Sequence, residues 1–227
     1  MATYNEIAYN LMNINRDGGT GRDESIQPSQ IIFMVGYYRS LIIKQRQDRK
    51  KVLDKNLTQD LGCVPIIKVD RAECCHIKTD CVVYRTERPL PKPAVGDAEM
   101  LTYIGGADKR TPFNLITKPY SNWVSYSKFA SKGIFVYFVN GHLYIEGYPG
   151  DLKWINVQGV FDDPVAAQEY MECHTEDCIK GYDAEYPIPG YMLQIVTTMI
   201  LKTELSFMAT RTIDTANDFK PVQSNEK

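Results

Sequence analysis

The chain has 227 residues, a formal net charge of −2, and 44% hydrophobic and 24% charged residues. Near-neutrality excludes a globally basic binder of nucleic acid or anionic membrane, so any such contact must come from a local patch. The hydrophobic share is ordinary for a globular protein, and the length suffices for one sizeable core or two small ones.

The opening MATYNEIAYNL lacks the basic and apolar regions of a secretory signal. The longest apolar runs, residues 31–38 with 41–43 and residues 191–201, are too short and interrupted to span a bilayer. These features predict a protein kept in a reducing compartment, with its 6 Cys as thiols. The 15 Tyr are many for this length, and Tyr is enriched in protein interfaces. Strand and core-edge positions account for most of them.

Taken in order, residues 3–14 form a first helix. Thr3 and Glu6 make a capping-box pattern, and Tyr4, Ile7, Ala8, Leu11 and Met12 recur on one face. Residues 15–25 (NRDGGTGRDES) are a polar, Gly-rich loop. No strand precedes this loop and no Gly-Lys-Ser/Thr follows, so it is not read as a phosphate cradle. The second helix starts near Pro28 and runs to about Lys51. Between residues 31 and 43 it is apolar or aromatic almost all round. That predicts burial on every side, by other helices or by other subunits. Residues 54–61 read as a short third helix stopped at Gly62.

Beyond Gly62 the pattern turns to strand. Strands are expected at residues 64–69 (VPIIKV), 81–85 (CVVYR), 100–104 (MLTYI), 134–139 (IFVYFV), 142–145 (HLYI) and 153–161 (KWINVQGVF). Asn140-Gly141 is the dipeptide that a type I′ hairpin turn demands. Residues 86–95 (TERPLPKPAV) are an extended connector, and residues 121–129 a candidate short helix. Asp163-Pro164 then opens a helix through Tyr170. Residues 173–185 form a polar loop, and a long helix runs from Gly190 to about Met208. The expected fold is therefore α+β. N- and C-terminal helices pack as a helical bundle, with a small antiparallel β domain inserted and an extended C-terminal tail. The expected divisions are residues 1–62 (helical), 63–162 (β-rich insert), 163–210 (helices completing the bundle) and 211–227 (tail).

Candidate sites are few. Cys63, Cys74, Cys75, His76 and Cys81 form one thiol–imidazole group, and Cys173, His174 and Cys178 another. Structural zinc favours paired C-x₂₋₄-C knuckles, and no CxxC occurs. Adjacent Cys74 and Cys75 on a strand would face opposite ways. No metal or cofactor is therefore expected. His142, just after the hairpin turn, is expected to point to solvent. Asp162-Asp163 fits helix capping better than acid–base chemistry. The main charge feature is Lys44, Arg46, Arg49, Lys50 and Lys51 at the end of the second helix. Such residues either touch phosphates or form a solvated helix end whose dipole favours cations.

Several stretches together carry a family resemblance. They are TYNEIAYNL with SQIIFMVGYYRSLIIKQ, QDLGCV followed by AECC, FVYFVNGHLYIEG, VQGVFDDP, and YPIPGYMLQIVTTMILKTEL. On these motifs the chain resembles the head-to-tail connector (adaptor, or ring) proteins of tailed bacteriophages, most closely the structural ring proteins of crAss-like phages. The resemblance implies a non-enzymatic virion protein, assembled in the host bacterial cytoplasm. It implies rings, typically twelvefold, at the portal vertex, which connect head to tail and extend the DNA channel. The implied partners are copies of itself, the portal protein, the tail or further ring proteins, and double-stranded DNA passing without sequence specificity. No membrane is among them. The basic residues 44, 46, 49, 50 and 51 would then face the DNA channel or a neighbouring subunit. The tail, through Phe219, Pro221 and Val222, would hold a partner. Two competing readings are a monomeric or dimeric intracellular protein-binding module, and a thiol enzyme built on Cys74, Cys75 and His76.

Overall fold

The computed structural model describes residues 2–15, 26–71, 82–96, 99–124, 133–147, 150, 152–171 and 181–205. Its helices are α1 (Tyr4–Asn15), α2 (Pro28–Asp48), α3 (Lys118–Val124), α4 (Pro164–Tyr170) and α5 (Gly190–Ile200). Its strands are β1 (Gln59–Asp70), β2 (Val82–Thr86), β3 (Leu101–Gly106), β4 (Asn114–Leu115), β5 (Phe135–Val139), β6 (His142–Glu146) and β7 (Trp154–Gly159).

The strands make one seven-stranded sheet in the order β3-β7-β1-β2-β6-β5-β4. All pairs are antiparallel except β4 with β5. β1 is the long element. Its first half pairs with β7 and its second half with β2, so it carries the chain from one side of the sheet to the other. The free edge of β3 meets the residues just before β4. The Phe113 N–H donates to the Ile104 carbonyl at 2.7 Å, and Gly105 bridges to Pro112. The sheet thus nearly closes into a barrel, which removes most of its exposed edge. The backbones come so close there that a Cβ on Gly105 would collide with the Thr111 carbonyl oxygen.

These findings overturn the expected helical bundle with a small inserted β domain. The seven-stranded sheet is a scaffold in its own right, and its interior is a core of its own, including Val64, Leu143, Ile155, Val157 and Phe161. The helices lie beside it around a second core, which includes Leu11, Ile31, Ile43, Met192 and Val196. The proposed third helix is in fact a single 3₁₀ turn, Lys55–Leu57, and the chain enters β1 at Gln59. Gly62, expected as a helix stop, lies inside β1 at φ +70, where the β1–β7 register shifts. This bulge is held by Asp60. Its carboxylate accepts from the Gly62 N–H at 2.9 Å, Asn156 Nδ2 at 2.8 Å, Gln158 Nε2 at 2.9 Å and Lys109 Nζ at 2.6 Å. Burial alone would push the Asp60 carboxyl up, but these four donors outweigh it and hold its pKa below the ordinary value.

Several local readings match. Thr3 Oγ1 accepts from the Glu6 N–H at 3.1 Å, and the Glu6 carboxylate accepts from the Thr3 N–H at 3.0 Å, which closes the capping box. In the β5–β6 hairpin Val139 pairs with His142 across Asn140 and Gly141, at φ 51 and 81. These positive angles are those of a type I′ turn. Asp163 caps α4 by accepting from the Val165 N–H at 2.9 Å. The extended connector runs along the end of β7, with Ala94 N–H donating to the Val160 carbonyl and Asp162 N–H to the Lys92 carbonyl. After Ile200 the last helix loosens into a π-helical turn, Leu201–Leu205, where the Tyr38 hydroxyl lies 2.6 Å from Thr203 Oγ1 and donates to Glu204 at 2.9 Å.

Candidate functional site

α2 organises the helical side of the molecule. Ile31, Val35, Tyr38, Arg39, Ile42 and Ile43 recur at helical spacing and are all buried. Among the described residues burial does not extend all round, which leaves other subunits as the expected cover of the remaining face. Phe33 is 73% exposed and Tyr37 57%, one turn apart on the opposite face. The helix is therefore core on one side and, among the described residues, exposed aromatic surface on the other.

Arg39 is the unexpected member of the buried face. It is fully buried, and Nη1 donates to the Phe161 carbonyl at 2.9 Å while Nε reaches the Pro187 carbonyl at 3.4 Å. Its guanidinium lies 5.7 Å from the centre of the Tyr186 ring, which packs against Tyr4. One side chain thus joins α2, the end of β7 and the segment entering α5. Burial pushes the phenols of Tyr4 and Tyr186 above their usual range; for Tyr186, Arg39 partly opposes this. Both phenols stay neutral, as the apolar site requires. Arg39 escaped the sequence reading because it sits within a run counted as apolar. The available signal was its place on the arc shared by Val35, Ile42 and Ile43.

Beside this hub lies an open groove of about 460 Å³. Phe33, Tyr37 and Tyr182 are its aromatic lining, and Asp162 and Asp163 line it as well. Ser40 Oγ donates to Asp162 at 2.7 Å, which fixes that carboxylate, and the cap to Val165 fixes its neighbour. The groove joins exposed aromatic surface to two oriented negative charges. The capping expected of the acidic pair describes Asp163, and the groove-lining position of both is set by tertiary contacts alone.

The predicted basic residues divide. Arg46 donates to the Tyr191 hydroxyl at 3.0 Å, and its guanidinium lies 4.9 Å from that ring's centre, so it ties α2 to α5. Lys44, Arg49, Lys50 and Lys51 are exposed. The helix ends in a Schellman motif, with Lys50 N–H donating to the Gln47 carbonyl, Lys51 N–H to the Arg46 carbonyl, and Lys50 at φ 50. This turn projects Lys51 and Val52 outward, and Val52 is 92% exposed.

His142 departs from expectation. It is half-buried, and its Nδ1 lies 2.9 Å from the Thr86 carbonyl oxygen, so the ring braces β6 against β2. Cys63 is an exposed free thiol. Cys74, Cys75, His76, Cys81, Cys173, His174 and Cys178 lie outside the described residues, as do Phe219, Pro221 and Val222 of the tail. Among the described residues no three His, Cys, Asp or Glu side chains gather as a metal site would require, and no helix is long and apolar enough to cross a membrane.

The described residues thus present a nearly closed sheet with a helical layer, a groove lined by aromatic and acidic side chains, and a projecting basic turn. Comparison with known sequences gives the class. The chain belongs to the family described as phage tail ring protein 2, whose sequence pattern matches residues 6–226. It is also 25% identical over 211 residues to a protein named "Ring protein 2" from Bacteroides phage crAss001, covering 88% of this chain and 89% of that one. It is a structural ring protein of the crAss-like phage type, and so a virion component.

Proposed function

We propose that this ring protein works at the portal vertex, as part of the connector that joins head to tail and continues the DNA channel. Assembly would take place in the host cytoplasm, with the portal and further ring or tail proteins as neighbours and a twelvefold ring as the working stoichiometry. The observation that carries the reading is α2, whose outer face exposes Phe33 and Tyr37 and whose end exposes Lys44, Arg49, Lys50 and Lys51. Exposed aromatic patches of this kind mark surfaces that another chain covers. A net charge of −2 suits a channel that passes DNA without gripping it.

The test is native mass by light scattering, together with negative-stain imaging, with and without a portal ring. A closed ring that stacks coaxially on the portal supports the reading. A protein that forms rings but ignores the portal refutes the vertex location. A monomer under both conditions refutes the connector role and returns the protein-binding-module reading to first place.

A further inference from the structure

We infer that neighbouring subunits of the ring dock head to tail through α2, the basic turn Arg49–Val52 of one copy entering the acidic aromatic groove of the next. This deepens the ring reading and rests on it. Three observations lead to it.

The first is chemical complementarity. The groove is lined by Phe33 and Tyr37 together with the carboxylates of Asp162 and Asp163. The turn offers the reverse, cations with one apolar side chain, Val52, at 92% exposure. Arg49, Lys50 and Lys51 form no ion pair among the described residues. The groove's volume of about 460 Å³ lies in the range that encloses a ligand of a few side chains.

The second is geometry. Tyr37 and Lys50 are thirteen positions apart on one helix and its cap, roughly 20 Å at the helical rise. A continuous helix cannot fold back across that distance, so no chain can fill its own groove with its own turn. A turn of this kind that enters the groove therefore belongs to another copy.

The third is symmetry. The two surfaces differ, so the contact is heterologous, and a heterologous contact closes into a ring when the rotation allows. An exposed charged contact of this kind weakens with added salt.

The experiment uses assembled particles. Phe33→Cys and Val52→Cys are combined in one chain, both at exposed positions that leave the cores untouched. Particles are oxidised and separated without reductant. The expected result is a ladder of covalent multimers, with at least half of the ring protein above monomer size. Each single variant and the unaltered chain, which carries the native cysteines, should stay at background. Particles that contain the protein but show no ladder above the single variants overturn the contact and leave the ring reading standing. Absence of the protein from wild-type particles removes the ring reading itself.

A second measurement does not depend on cysteine chemistry. Phe33→Asp and Val52→Asp chains are made separately, with folding checked by circular dichroism, and each is scored for incorporation into particles. Each should fall at least tenfold below wild type. Normal incorporation of either variant overturns the contact.

Discussion

Replacing Arg39 with alanine tests whether one buried cation holds the helical layer to the sheet. The guanidinium makes two hydrogen bonds to carbonyls, at 2.9 Å to Phe161 and 3.4 Å to Pro187. Bonds from a charged donor contribute about 1.5–3 kcal/mol, and the longer of these two lies at the weak end. The Tyr186 ring at 5.7 Å adds about 1 kcal/mol of cation–π attraction. The lost aliphatic stem removes packing worth about 1 kcal/mol more. Relief of the buried charge works the other way, because Nη2 has no partner among the described residues. The expected net loss for Arg39→Ala is about 3 kcal/mol. With a urea slope of about 2–3 kcal/mol/M for a chain of this size, the unfolding midpoint falls by roughly 1–1.5 M. Arg39→Lys keeps the charge but lacks the fork that bridges two carbonyls, so it should lose about half as much. Urea unfolding followed by circular dichroism at low micromolar concentration reads both. A midpoint for Arg39→Ala within 0.3 M of wild type would refute the reasoning, as would a lysine variant that loses more than the alanine one.

Lys50→Gly should stabilise the protein by about 0.5 kcal/mol. Relief of the left-handed backbone at φ 50 slightly exceeds the extra unfolded-state freedom of glycine, and a rise in melting temperature would show it. Gly141→Val should cost at least about 2 kcal/mol in a thermal melt, since the hairpin turn needs φ 81 there and a Cβ would sit 3.2 Å from Pro89 Cβ. Asp60 has a lowered pKa in the folded state, so its contribution is present above the ordinary value of 3.8 and lost as pH falls through the folded value. The wild type should therefore lose more stability below pH 3.8 than an Asp60→Asn variant does, and unfolding midpoints measured across that range would show the difference.

The sequence by itself determined whatever depends on a few neighbouring residues. The Thr3–Glu6 box, the Asn140–Gly141 turn and the Asp163 cap each join groups within four positions, so the chain spells them out locally. The motifs spread along the chain also carried the ring-protein resemblance that the family match now shows. The tertiary structure alone decided the balance between sheet and helices. β4 is only two residues long, and β1 bends at Gly62 because Asp60 meets Asn156, 96 positions away. No periodicity announces a strand that short, or a bulge held by so distant a partner. Arg39 is the sharpest case. Within an apolar run it reads as an interruption, yet its carbonyl partners lie 122 and 148 positions away. The groove likewise exists only because the chain returns Asp162 and Tyr182 to the outer face of α2. Burial of a cation, closure of a sheet and the shape of a surface are properties of contacts between distant residues, and those contacts appear only once the chain has folded.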